Sequence, residues 1–131
     1  MKEISVQSHT REELIKLDSQ LQEAVQESGI HNGVCLVYVP HTTAGVTINE
    51  GTDPAVAADI VARLADLVPR EAGYTHAEGN ADSHIKAALV GASVTLFIDS
   101  GRLILGTWQS VFFCEFDGPR RRRALVKVIE G

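Results

Sequence analysis

The sequence predicts an α+β fold, a largely antiparallel β-sheet or two packed sheets with helices packed on the outside. Three observations lead there. The apparent elements run strand, helix, two strands, helix, loop, short helix and then a series of strands, an order that segregates helices from sheet rather than alternating them. Several stretches alternate apolar and polar residues with a period of two. Between them stand turn residues, as at Asp99-Ser100-Gly101 and Gly118-Pro119. A chain of 131 residues, 44% hydrophobic and 22% charged, fits one compact domain, 1–131, with an ordinary soluble balance.

The first strand is Lys2 to Gln7, with Ile4 and Val6 on one side. Thr10-Arg11-Glu12-Glu13 then matches a capping box, and Leu14, Leu17, Leu21, Ala24 and Val25 form one helical stripe, so the spacing predicts a first helix over residues 10–28. Gly29 suits its left-handed end. Residues 33–39 make a central apolar strand and residues 41–50 a second one after Pro40. In that second strand Ala44, Val46 and Ile48 point one way, and His41, Thr43, Thr47 and Asn49 the other. A bulge near Pro40 or Gly45 would release His41 from this register.

Asp53-Pro54 is a strong helix start, an N-cap followed by proline in the first turn. Val56, Ile60, Leu64, Leu67 and Val68 predict its buried stripe, and Pro69 ends it. Residues 70–83, REAGYTHAEGNADS, are polar and long for a connection, which favours a functional or disordered loop. Residues 81–90 form a short helix closed by Gly91. The rest is β: Val94 to Ile98, a return from Leu103 toward Trp108, Val111 to Asp117, and Arg123 to Ile129.

The formal net charge of -5 argues against a nucleic-acid partner. No apolar run approaches the ~20 residues that span a bilayer. The start, MKEISVQSHTREE, lacks the apolar region of a signal peptide, so the expected compartment is the cytoplasm. Cys35 and Cys114 sit in apolar runs and are expected to be buried, reduced thiols.

Polar chemistry is concentrated between Pro40 and Asp53, PHTTAGVTINEGTD, and between His76 and His84. Three histidines with Glu78, Asn80 and Asp82 among them suit a divalent metal such as zinc, and equally suit acid–base work near neutral pH. Their spacing matches no compact zinc motif, and ordinary loop and cap roles are the bland reading. Asp53 is expected to be only a helix cap, whereas Asn49 and Glu50 stand evenly between turn residues and ligands or bases. Trp108 has a core reading beside a substrate-wall reading. Arg120, next to a Gly-Pro turn, is a candidate anion hook, with Arg121, Arg122 and Arg123 read as a solvated run. Phe112, Phe113 and Trp108 are candidates for an apolar subunit interface.

The three stretches HTTAGVTINEGTDP, HAEGNADSHIKAALVG and GRLILGTWQSVFFCEFDGPR, in this order, resemble the YjbQ family. The resemblance covers nearly the whole chain. Gly45 stands where alanine or another small residue is expected, and Ser83 where alanine is common. The resemblance implies a homotrimer of a compact α+β domain and a secondary thiamine-phosphate synthase activity. That reaction joins a pyrimidine-methyl diphosphate to a thiazole phosphate and releases pyrophosphate. Carried over by motif, His41, Glu50 and His84 become the candidate catalytic groups. Thr42, Thr43, Asn49, Asn80, Asp82, Trp108, Gln109 and Arg120 become candidate substrate contacts. His41, His76 and His84 become the candidate ligands of a divalent metal, zinc or magnesium. The partner implied is a small phosphorylated substrate, with no nucleic acid and no membrane. The alternatives are a metal-dependent hydrolase of a phosphorylated metabolite and a trimeric small-ligand-binding protein without catalysis.

Overall fold

The computed structural model describes residues 1–131. The elements are β1 (Lys2–Gln7), β2 (Glu13–Lys16), α1 (Asp18–Ser28), β3 (Gly33–Tyr38), β4 (Ala44–Glu50), α2 (Pro54–Leu67), α3 (Ala81–Val90), β5 (Ser93–Asp99), β6 (Arg102–Leu103), β7 (Gln109–Glu115) and β8 (Arg121–Glu130). They build two antiparallel sheets, one in the order β1-β8-β3-β5-β6 and one in the order β2-β7-β4. This is the α+β architecture expected from the element order.

Period-two alternation decides which side of each strand enters the core. Ile4, Val6, Cys35, Val37, Leu96, Ile98, Ala124 and Val126 project from the larger sheet. They meet Ala44, Val46, Val111 and Phe113 from the smaller sheet and Leu21 and Val25 from α1. The alternate residues of β7, Phe112 and Cys114, join Phe116 and Ala87 of α3 in a second cluster on the far side of the smaller sheet. β7 is therefore covered on both faces, which explains its nearly unbroken apolar run. The opposite face of the larger sheet carries Val34, Leu36, Phe97, Leu125 and Ile129 with no element packed over it. Phe97 there is 71% exposed.

The first helix begins eight residues later than the sequence pattern suggests. The capping-box bond is made, since Glu13 Oε2 accepts from the Thr10 N–H at 2.8 Å, but it closes a turn before a strand rather than opening a helix. Glu13 to Lys16 pair instead with Glu115 to Phe112 of β7, and this ladder outweighs the local signal. The helix starts at Asp18, whose Oδ1 accepts from the Val111 N–H at 2.7 Å, and ends at Gly29 in the left-handed region. Burial pushes the thiol pKa of Cys35 up to about 11 and that of Cys114 up to about 12, so both are inert at neutral pH.

α2 starts as expected, with Asp53 Oδ1 accepting from the Ala55 N–H at 2.9 Å. Its apolar stripe, however, is buried only at its end: the C-cap Val68 is buried, whereas no residue of the helix itself is, and Leu67 is 75% exposed. Phe112 and Phe113 are core residues and leave Trp108, 61% exposed, as the one member of the proposed aromatic interface at the surface. The return strand after β5 is short, reduced to Arg102 and Leu103.

Candidate functional site

β4 begins at Ala44, so His41, Thr42 and Thr43 precede it and do not share its pleat. Thr43 turns inward, where its hydroxyl oxygen accepts from Arg122 Nη2 at 2.8 Å. His41 leaves the register and packs its ring edge-on against Phe113, with centroids 6.4 Å apart. Its Nε2 accepts from the backbone N–H of Arg123 at 3.1 Å. Burial, and after it the Arg122 guanidinium, lowers the pKa of His41.

A groove of about 460 Å³ lies between this segment and α3. His41 and Thr42 stand on one side, His84 on the other, and Ala44, Ala87 and Gly91 line it between them. The groove is open because its residues are small. It is also fixed in width, because α3 ends against β4: the Val46 N–H donates to the Gly91 carbonyl at 3.1 Å, and a Cβ at Gly45 would stand 2.6 Å from that oxygen. His84 is shared with an adjoining pocket of about 330 Å³ bounded by Tyr74, Thr75, His76 and Ile85. The His76 and His84 rings meet edge-to-face with centroids 5.2 Å apart.

The two neighbouring carboxylates are occupied. Asp82 is fully buried beneath α3, bonded by Arg11 Nη2 at 3.0 Å and by Lys86 Nζ at 2.9 Å. Lys86 also pairs with Glu12. Burial alone would raise the Asp82 pKa, but the bonds from Arg11 and Lys86 overcome it and bring the value down to about 2. Glu115 is likewise buried, accepting from Arg122 Nη2 at 2.5 Å, from the Ser8 hydroxyl at 2.7 Å and from the Asp117 N–H at 3.1 Å. Burial pushes its pKa up, and these bonds more than reverse that shift. Arg122 is thus an internal residue and not part of a solvated run. Arg120 is half exposed, with Nε on the Asp117 carbonyl and Nη2 on the Asp117 carboxylate. Asn80 donates to the same carboxylate at 2.9 Å, while its own Oδ1 is buried without a partner.

Histidines 41, 84 and 76 are therefore neighbours along one edge, with His84 in the middle. They do not form a metal cage within one chain, where no group of three or more His, Cys, Asp or Glu side chains is placed to hold an ion. Asp82, assigned above to substrate, is committed to Arg11 and Lys86. Asn49, Glu50, Trp108 and Gln109 lie at the other end of β4, where Glu50 pairs with Gln109. Six residues at about 3.3 Å each put them about 20 Å from Ala44. There Glu50 Oε2 accepts from the Thr52 N–H at 3.0 Å and Gln109 Oε1 from the Gly106 N–H at 2.7 Å, both turn-shaping bonds. They do not wall the histidine groove of their own chain.

Sequence reasoning passed over Lys86, Glu115, Arg11 and Ser8. Two signals pointed to them: Asp82 and Lys86 stand one helical turn apart, and Glu115 is the lone charge inside VFFCEF.

Comparison with known proteins gives a consistent picture. The family model described as UPF0047 protein YjbQ-like matches residues 2–131. A UPF0047 protein of Methanocaldococcus jannaschii is 50% identical over 124 residues, covering 95% of this chain and 90% of that one. The UPF0047 protein YugU of Bacillus subtilis is 44% identical over 130 residues, covering 98% of each. The crystal structure of a YjbQ/UPF0047 family protein from Clostridium acetobutylicum superposes with a TM-score of 0.97 at 45% identity, over 98% of this chain and 100% of that chain. That of a YbjQ-like protein from Sulfolobus solfataricus does so with a TM-score of 0.95 at 32% identity, over 99% and 96%.

Proposed function

We propose that this chain, which belongs to the YjbQ-like UPF0047 family, binds the phosphate or diphosphate of a small heterocyclic substrate in the groove between His41 and His84. The observation that carries this is the pair of imidazoles facing one open, small-residue groove, with His76 stacked on the second. Imidazoles flanking a space of this size suit an oxyanion that needs hydrogen bonds rather than covalent attack.

The finer reading is a transferase of the thiamine-phosphate synthase type. The thiazole nitrogen attacks the pyrimidine methylene carbon, the C–N bond forms, the C–O bond to the diphosphate breaks, and pyrophosphate leaves with both electrons. The enzyme's task is to neutralise the departing charge. His41 and His84 would bond the leaving oxygens, and Arg120 would hold an anionic group from the loop that also carries Asp117. The residues of one chain do not fit a three-histidine metal site, and no step here passes through a metal. Glu50 has no role in this step within its own chain.

A second reading, binding without catalysis, is favoured by one specific observation. Asp82 and Glu115 are both locked in internal ion pairs, and Glu78, at the histidine edge, is exposed with its Oε2 3.8 Å from His76 Nε2, so no carboxylate is bonded to His84 itself. Incubation with pyrimidine-methyl diphosphate and thiazole phosphate separates the readings. Release of pyrophosphate with formation of thiamine phosphate supports the transferase. Tight pyrophosphate binding with no product supports the binding protein. If neither product nor pyrophosphate binding is seen, the anion-site reading falls.

The working form is proposed to be a homotrimer. Support comes from the uncovered apolar face of the larger sheet, where Val34, Leu36, Phe97 and Ile129 neighbour one another with no further element of their chain packed over them. No helix is long and apolar enough to cross a membrane.

A further inference from the structure

The geometry assigns His41 a fixed tautomer: neutral, with the proton on Nδ1, so that it meets the ligand as a hydrogen-bond donor to an anionic phosphoryl oxygen and not as a base or a metal ligand. The ligand half of this rests on the anion-site reading given above. The tautomer half stands on this chain's own hydrogen bonds.

A backbone amide can only donate. The Arg123 N–H points at His41 Nε2 from 3.1 Å, so Nε2 must offer its lone pair and carries no proton. A neutral imidazole then holds its single proton on Nδ1. Phe113 packs against it edge-on, and the Arg123 amide is fixed by the ladder between β1 and β8, in which Ser5 faces Arg123. The doubly protonated ring is disfavoured on separate grounds, because it would set a ring N–H against the amide N–H and add a cation near Arg122.

The proton on Nδ1 is the free one. Among buried side-chain nitrogens and oxygens only Asn80 Oδ1 lacks a partner, so Nδ1, which has none in the chain, is accessible. The ring that bears it lines the groove. A metal would require the reverse arrangement: a lone pair on Nδ1 and a proton on Nε2 aimed at another donor. An anionic oxygen fits the arrangement that exists. The device is preorganised, because the donor is in place before any ligand arrives and does not have to be protonated first.

The test has two parts. In the ligand-free protein labelled with ¹⁵N-histidine, long-range ¹H–¹⁵N correlation spectra at neutral pH report the tautomer. The expected pattern for His41 is a pyrrole-like Nδ1 and a pyridine-like Nε2. A proton on Nε2, or an imidazolium, overturns the assignment, and no variant is needed to see it. Calorimetry with pyrophosphate then tests the donor role. His41→Asn keeps an N–H at the position of Nδ1, and His41→Gln places its amide nearer the position of Nε2. Asn is expected to hold affinity within about threefold, while Gln and Ala lose about tenfold or more, the scale of one lost bond to a charged group. If Gln binds as well as the wild type and Asn does not, the donor is on the wrong nitrogen. If the wild-type chain binds no pyrophosphate, the anion site fails and the ligand half fails with it. Binding with the wrong tautomer defeats this assignment alone.

Discussion

Lys86 Nζ donates to Asp82 Oδ2 at 2.9 Å, one turn back along α3, and both side chains are closed off from water. Glu12 pairs with the same ammonium and Arg11 with the same carboxylate. Two charges of each sign thus share one site beneath the helix that carries His84. Removing one member leaves its partner buried and underpaired, which at such sites costs about 3–5 kcal/mol. Lys86→Ala should lower stability on that scale in urea titrations followed by circular dichroism. A loss below about 1 kcal/mol, the value of an exposed pair, would show that the network carries little of α3's stability.

Acid should expose the same cluster. The Asp82 pKa is about 2 in the folded chain against an ordinary 3.8. A depressed carboxylate contributes its stability fully above its unfolded pKa, and that contribution fades as pH falls from there through the folded value. About two units correspond to about 2–3 kcal/mol. Thermal melts should therefore show a steepening loss of stability between pH 4 and 2. The variant Asp82→Asn, though less stable at neutral pH, should flatten that part of the curve. An unchanged acid limb in the variant would place the sensitivity elsewhere, with Glu115, whose pKa is lowered too, as the next group to test.

The arginine run divides by side of the strand. Arg122 faces inward to Glu115 and Thr43, and Arg121 is exposed. Arg122→Ala should cost about 3–5 kcal/mol because it strands the Glu115 carboxylate, and Arg121→Ala should stay within about 0.5 kcal/mol. Arg120→Ala should leave stability nearly unchanged and weaken pyrophosphate binding by about 1–3 kcal/mol. Denaturation and calorimetry on the three variants check this together. Equal pyrophosphate affinity in Arg120→Ala and wild type would remove Arg120 from the site.

Much of this fold is legible in the sequence because period-two alternation and turn residues are local signals. β1, β3 and β5, the cap at Asp53 and the short helix over 81–90 follow directly from them. The start of α1 does not, because Glu13 to Lys16 have helical spacing and become strand only by pairing with β7, nearly a hundred residues on. For the site, the sequence marked His41, His76 and His84 as chemistry and expected them to converge on one metal, where the structure sets them along one edge. It did not separate them from Glu50 and Trp108, because nine residues in sequence give no hint that a straight strand carries its two ends about 20 Å apart. Nor did it mark Arg122 as internal: in a run of four like charges, only the pleat tells which one points inward.

The homotrimer proposed from the family resemblance would join through the uncovered face of the larger sheet. Light scattering should give three times the 14.2 kDa chain mass. Phe97→Asp, which puts a charge on that face without touching the core, should reduce the species to one chain while leaving the far-ultraviolet circular dichroism intact. A trimer that persists unchanged in the variant would mean that another surface joins the subunits.

The position of β8 has a bearing on synthesis. This strand is the last of the eight to leave the ribosome, yet it lies between β1 and β3 and hydrogen-bonds to both. Until it emerges, β1 has no neighbour at all, and β3 has only β5. The nascent chain must therefore carry open strand edges through most of translation, the condition under which chains pair with one another instead of with themselves. Closure is then a late, long-range event joining residues more than a hundred positions apart, and topologies of that kind fold slowly. The smaller sheet waits almost as long: its central strand β7 is made just before β8, and β2 and β4 have no partner until it emerges, so both sheets close late.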